Sequence, residues 1–329
     1  NFADSQSRRN PMPVASDLQP LLDVIANRRD PDGPIDVEEL REGYRALCTS
    51  GQHLAAEVSE VTERMIPGPD GDLPIRVYRA EGLGDRAPVV LHLHGGGWTI
   101  GDLEGYDEQF RAVASTAGAV VVALEYRLAP EHPFPAAVDD SWAALCWVSE
   151  HAAELGIDPE RLVVAGDSAG GNLSAILSLL ARDRGGPTIA HQFLIYPATD
   201  FDYDSGRWPS LEENATGYFL ELRTMRWFAE NVAGDQDLTA EPLAAPIRAE
   251  NHVGLPPATL MVGGFDPLRD ECLGYAEVLR SAGVPVDVIY HEEQIHGYWI
   301  VAPLVPSSEA ARDTDLAALR AAVGALPVG

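Results

Sequence analysis

Six short apolar runs recur through the chain: Val89 to Leu93, Ala119 to Leu124, Arg161 to Ala165, Phe193 to Tyr196, Thr259 to Val262 and Val286 to Tyr290. Each is nearly continuous rather than alternating, and longer helix-like stretches separate them. A strand that is apolar on both sides must be covered on both faces, and a helical crossover lets consecutive strands run parallel. The runs therefore predict an α/β fold with a mostly parallel, doubly wound sheet. Before them, Val58 to Pro67 and Leu73 to Ala80 alternate in polarity and are joined by Pro69-Asp70-Gly71, which predicts an N-terminal antiparallel hairpin.

Two stretches fall outside this rhythm. In the first, Ser16 or Asp17 can cap a helix carrying Leu18, Leu21, Leu22 and Ile25. Asp30-Pro31-Asp32-Gly33-Pro34 breaks the chain, and Asp36 with Glu39 can cap a second helix carrying Leu40, Tyr44 and Leu47. In the second, Asp200 to Asp237 shows no central strand but is rich in aromatics, including Phe201, Tyr203, Trp208, Tyr218, Phe219, Trp227 and Phe228. The alternative for this stretch is a surface excursion packing its own aromatics. The expected layout is N-terminal cap helices over 1–54, an α/β core over 55–199, a cap insertion over 200–237 and the rest of the core over 238–329.

Chemistry is concentrated where strands end. Gly166-Asp167-Ser168-Ala169-Gly170 lies between the run ending at Ala165 and a helix-like run from Leu173 to Ala181. A serine on so tight a strand-to-helix turn is strained and lifted above the sheet edge, and the turn requires glycines on either side. The following helix start leaves N–H groups free, including that of Ala169. A phosphate-binding turn is the alternative, although phosphate loops use a lysine or a longer glycine spacing. His94-Gly95-Gly96-Gly97-Trp98 follows another strand, and its backbone N–H groups can approach a ligand oxygen without obstruction. Taken alone, that loop could equally be a flexible glycine run.

In a fold of this type an acid and then a histidine follow the serine in sequence. Asp266 stands just after a strand, whereas Asp270 and Glu271 fall in the next helix, where carboxylates often complement a helix start. Among the histidines, His191 and His252 come too early and His291 ends a strand. His296 occupies a loop beyond that strand, from which an imidazole can reach back to Ser168. His92-Leu93-His94 could ligate a metal, but no carboxylate cluster completes such a site, so hydrogen-bonded core and loop histidines are expected instead.

Composition excludes several other classes. With 51 acidic residues against 23 arginines and no lysine, the formal charge of -28 would repel nucleic acid and anionic membranes. No run of about 18 apolar residues suggests a membrane span. Cys48, Cys146 and Cys272 are odd in number and lack a CxxC pair, which suggests neither a disulfide framework nor a cysteine metal site. Asn1 to Pro13 has arginines but no signal-type apolar segment, so a cytoplasmic location is expected.

These motifs resemble those of the hormone-sensitive lipase family of α/β-hydrolases, the bacterial carboxylesterase group. The resemblance rests on His94 to Trp98, Gly166 to Gly171, Asp266 to Glu271, His296-Gly297 and the segment Tyr126 to Ala137, all in order. It implies Ser168 as nucleophile, His296 as base and Asp266 as acid, with Gly96, Gly97 and Ala169 forming an oxyanion hole and His94 holding the glycine loop. It also implies a helical cap made from the N-terminal helices and the insertion, an ester substrate with a short to medium acyl chain, and no cofactor; no metal is expected either, as argued for His92 and His94. Trp98, Asp167, Trp208, Tyr218 and Phe219 are the expected substrate-contacting residues. The partner is a small-molecule ester rather than nucleic acid or membrane, and a homo-oligomer is allowed. A non-catalytic binder on a hydrolase scaffold, or an amidase using the same residues, stays open at this point.

Overall fold

The computed structural model describes residues 13–28 and 33–327. Its strands are β1 (Glu60–Gly68), β2 (Gly71–Arg79), β3 (Ala87–Leu93), β4 (Val120–Leu124), β5 (Ile157–Asp167), β6 (His191–Ile195), β7 (Ala258–Phe265) and β8 (Val286–Ile295). They form one sheet in the order β1-β2-β4-β3-β5-β6-β7-β8. β1 and β2 make the expected hairpin, closing where Gly68 faces Gly71, and β2 pairs antiparallel with β4. The remaining neighbours are all parallel.

Five of the six apolar runs follow from burial on both faces; the sixth, Val286 to Tyr290 in the edge strand β8, is only partly buried and exposes Asp287 and Tyr290. Val89, Leu91 and Leu93 of β3 join Leu162 and Val164 of β5 and Leu260 and Val262 of β7 in one core. The intervening Val90, Val163, Ala165 and Met261 belong to a second core on the opposite face. Because side chains alternate along a strand, both sets of positions must be apolar when helices cover both faces. β3 is flanked by β4 on one side and β5 on the other, so successive crossovers diverge there and leave a crevice at the carboxyl ends of the strands.

Both N-terminal helices are present, α1 (Gln19–Arg28) and α2 (Val37–Thr49). Asp36 caps α2 by accepting the Glu39 N–H at 2.9 Å. Asp17, one of the two candidate caps for α1, has a carboxylate that accepts the Ser307 N–H at 2.8 Å and hydroxyl at 2.6 Å, tying the segment before α1 to the C-terminal helix Pro306–Ala325. Residues 29–32 of the expected break, and all but the last residue of the stretch 1–13, lie outside the described residues. Leu18 and Leu22 pack against Ile295, Val301 and Val305, beside the segment that follows β8. Tyr44 and Leu47 of α2 pack on the second core.

The insertion contributes two helices, Ser210–Glu213 and Leu222–Ala233, and no strand among the described residues. The strandless stretch continues past Asp237 to Pro257, interrupted only by the 3-10 turn Pro246–Arg248. Its first residues are anchored by Asp200, fully buried, which accepts from Arg248 Nε at 2.9 Å and Trp208 Nε1 at 3.0 Å. No helix among the described residues is long and apolar enough to cross a membrane.

Candidate active site

The candidate side chains converge because four parallel strands, with only β6 between β5 and β7, end on the same side of the sheet. The glycine loop leaves β3, Ser168 leaves β5, Asp266 leaves β7 and His296 leaves β8. Ser168 has φ 54° and ψ -114°, the strained conformation that the turn demands. The flanking glycines are sterically required. A Cβ on Gly170 would stand 1.9 Å from Leu93 O, and one on Gly166 would stand 2.4 Å from Gly170 C. The helix Ala169–Arg184 can start directly over β3 only because neither residue has a side chain.

Ser168 Oγ donates to His296 Nε2 at 3.0 Å, and His296 Nδ1 donates to Asp266 Oδ2 at 2.8 Å. Asp266 is fully buried and accepts the Leu268 N–H at 2.7 Å on its other oxygen, which fixes the carboxylate plane. The Tyr196 ring packs 4.6 Å from the His296 ring. Ser168 remains half-buried, so the line of three residues opens to the crevice at its serine end. The alternative residues are engaged elsewhere. Asp270 accepts the Ser210 N–H at 2.8 Å, Glu271 the Thr199 N–H at 2.7 Å, and His291 Nε2 lies 2.8 Å from Asp315. His191 faces Thr259 Oγ1 at 2.9 Å and His252 the Pro246 carbonyl at 2.9 Å.

The glycine loop is braced from several directions. His94 Nδ1 donates to Gly95 O at 2.8 Å, its ring stacks on Tyr126 at 4.2 Å, and the Tyr126 hydroxyl donates to His94 O at 2.7 Å. Burial pushes the His94 ring down to about 4, so it stays neutral at physiological pH. Arg41 of α2 donates from Nε to Thr99 O at 3.0 Å and from Nη2 to Ala129 O at 3.1 Å, with Glu131 accepting from the same guanidinium. The Gly96 and Gly97 N–H groups donate to no acceptor among the described residues, and the Ala169 N–H starts a helix with no preceding turn to receive it.

Two residues expected to touch substrate have other work. Asp167 is fully buried and accepts the Gly95 N–H at 2.8 Å and the Tyr106 hydroxyl at 3.1 Å. Tyr106 Oη lies 2.6 Å from Tyr44 Oη on α2, so a hydrogen-bonded line runs from α2 to the glycine loop. Trp208 donates to Asp200, and its ring lies 2.6 Å from where a Gly274 Cβ would be, against the flank of the helix Arg269–Ser281. In both cases an indole or carboxyl group in a dry interior is held by its polar partner, which sequence position alone does not disclose.

The other expected residues lie in or against the loops that carry the candidate side chains. Trp98 is buried, with its ring 5.2 Å from Phe201, and both line a cavity of about 10 Å³ with Phe134, Val138, Asn172 and Val232. That is room for roughly one water molecule. Phe219 packs where a Cβ on Gly297 would stand, 2.6 Å away, and Tyr218 packs 5.0 Å from the Phe265 ring. The insertion thus covers the loops that carry His296 and Asp266. Phe228, which the sequence did not single out from its aromatic neighbours, sits over the glycine loop, with its ring 2.3 Å from a would-be Gly97 Cβ. Asn214 donates to Asp266 O at 3.1 Å and Asn172 to Ala198 O at 2.8 Å, two anchors that no periodic pattern marks.

Residues 90–300 match a family described as the alpha/beta hydrolase fold. The chain is 42% identical to Esterase LipI of Mycobacterium tuberculosis over 97% of each chain. It is also 42% identical to Carboxylesterase NlhH of the same organism, over 96% of this chain and 99% of the relative. Among solved structures, a hyperthermophilic esterase from the archaeon Pyrobaculum calidifontis superposes with a TM-score of 0.89 at 36% identity, covering 95% of this chain and 100% of that one.

Proposed function

This chain belongs to the alpha/beta-hydrolase family and is a carboxylic ester hydrolase, and from that premise we propose that it cleaves short to medium acyl esters through an acyl-enzyme on Ser168. The observation that carries this reading is the line from Ser168 through His296 to Asp266, at 3.0 and 2.8 Å. Ser168 Oγ attacks the ester carbonyl carbon while His296 Nε2 takes its proton. The carbonyl electron pair moves onto oxygen, where the N–H groups of Gly96, Gly97 and Ala169 receive the negative charge. Collapse of that intermediate breaks the bond to the alkoxy oxygen, and His296 returns the proton to the departing alcohol. Water then repeats the sequence on the acyl-enzyme and releases the carboxylic acid. Asp266 orients the imidazole and stabilises its cation throughout.

The narrow space beside Trp98 and Phe201, together with the Phe219 and Phe228 cover, supports short acyl chains. A serine-reactive fluorophosphonate tests the chemistry, with stoichiometric labelling expected at Ser168 and none in Ser168→Ala. Failure of the native chain to label would favour a non-catalytic binder. Turnover of an acyl anilide at a rate matching its ester would make the chain an amidase as well.

A further inference from the structure

The loop that carries His296 is held from behind by a second carboxylate, outside the line of three residues. Asp315 lies on the C-terminal helix Pro306–Ala325, beyond the segment 90–300 that matches the family, and is fully buried. It accepts the Tyr298 hydroxyl, the Trp299 Nε1–H at 2.8 Å and the His291 Nε2–H at 2.8 Å. These three donors bracket His296, one five residues before it and the others two and three residues after. Tyr298 also stands edge-on to Tyr196 at 5.3 Å, and Tyr196 is the ring packed against His296.

We propose that Asp315 is a positioning residue for His296. Asp266 orients the imidazole ring, and Asp315 fixes the loop from which that ring projects. An apolar contact would hold Tyr298 and Trp299 at least as stably, because a buried carboxylate must first be stripped of water. What the carboxylate adds is direction: three donors converging on two oxygens set the rotamers of both rings and join the middle of β8 to the turn after it. A catalytic imidazole has to be held to within about 0.5 Å, and the loop after β8 turns at once through Gly297 at φ 76°. The second anchor compensates for that freedom.

The proposal rests on His296 as the base, and the experiment separates the two ideas. Full-length Asp315→Asn is assayed on p-nitrophenyl butyrate at a temperature where its thermal unfolding curve shows it folded. The expected result is a kcat lower by about 10- to 100-fold with KM within about twofold, since the reacting groups are misplaced rather than the substrate. In a His296→Ala background the same change should alter the residual turnover by less than about twofold, because the group it positions is gone. Wild-type kcat in folded Asp315→Asn overturns the proposal, as does an equal loss in both backgrounds. Wild-type turnover in His296→Ala alone would instead overturn the assignment of the base. If Asp315→Asn does not fold, Tyr298→Phe and Trp299→Phe each remove one donor and keep the ring. Their kcat losses should compound at constant KM, and wild-type kcat in the double variant refutes the idea.

Discussion

The carboxylate of Asp167 accepts the Gly95 N–H at 2.8 Å, joining the turn that presents Ser168 to the loop that presents Gly96 and Gly97. The contact is so close that a Cβ on Gly95 would stand 2.3 Å from Asp167 Oδ2. Ser168 and the N–H groups proposed to face an oxyanion are therefore registered to each other by one buried carboxylate.

That carboxylate gives a pH-dependent stability. Burial pushes Asp167 up to about 6, against the opposing hydrogen bonds from Tyr106 and Gly95. In the unfolded chain an aspartate titrates near ~3.9. Between about pH 4 and pH 6 the folded protein holds a proton that the unfolded chain has released, so stability falls as pH rises through this window. Asp167→Asn removes the titration. Its unfolding free energy relative to wild type should improve by about 3 kcal/mol between pH 4 and pH 7, read from urea midpoints. Turnover at pH 7 should drop about tenfold as a charge-assisted hydrogen bond becomes a neutral one. A stability difference that stays flat with pH would show that Asp167 is ionised across the whole range.

Ser168→Ala should abolish ester turnover beyond a residual ~10³-fold over water, with the thermal midpoint kept or raised. The substitution removes the attacking oxygen and one hydrogen bond from a site the fold holds under strain at φ 54°. Turnover near wild type in a pure preparation would reject Ser168 as nucleophile.

Two aspartates four residues apart should behave differently. Asp266→Asn places an amide 2.8 Å from His296 Nδ1 and favours the wrong imidazole tautomer, so kcat should fall by up to about 10⁴-fold, as in the well-studied protease triad. Asp270 accepts from Ser210 N and pairs with Arg269, both at 2.8 Å, so Asp270→Asn should change kcat by less than about tenfold. If the two effects were reversed in steady-state assays, the acid would have to be reassigned.

Phe228 should limit acyl length. Its ring occupies the space over Gly97, and Phe228→Leu vacates part of it. On a p-nitrophenyl ester series, wild-type kcat/KM should rise over the first few carbons and fall by the long chains. The variant's maximum should move to longer chains, with each newly accommodated methylene contributing about 0.8 kcal/mol. An unchanged chain-length profile would place the acyl chain elsewhere.

The sequence determined the sheet and pointed to Ser168, Asp266 and His296 because both are written in local patterns. Strands buried on both faces have to be continuously apolar, and a serine on a sharp turn needs Gly166 and Gly170, whose missing side chains leave room for Leu93 O. Position just beyond a strand singled out Asp266 from Asp270 and His296 from His291, and the fold puts that pair in line with Ser168. The tertiary structure alone decided which polar residues support them. Asp167 and Trp208 stand where a substrate contact was expected, yet their polar atoms are bound to Gly95, Tyr106 and Asp200. Asp17 could cap a helix by its local sequence but bonds Ser307, 290 residues away. A buried carboxylate or indole has no periodicity and takes whichever partner the packed chain brings within about 3 Å. That partner is fixed only when distant strands and helices close on one another.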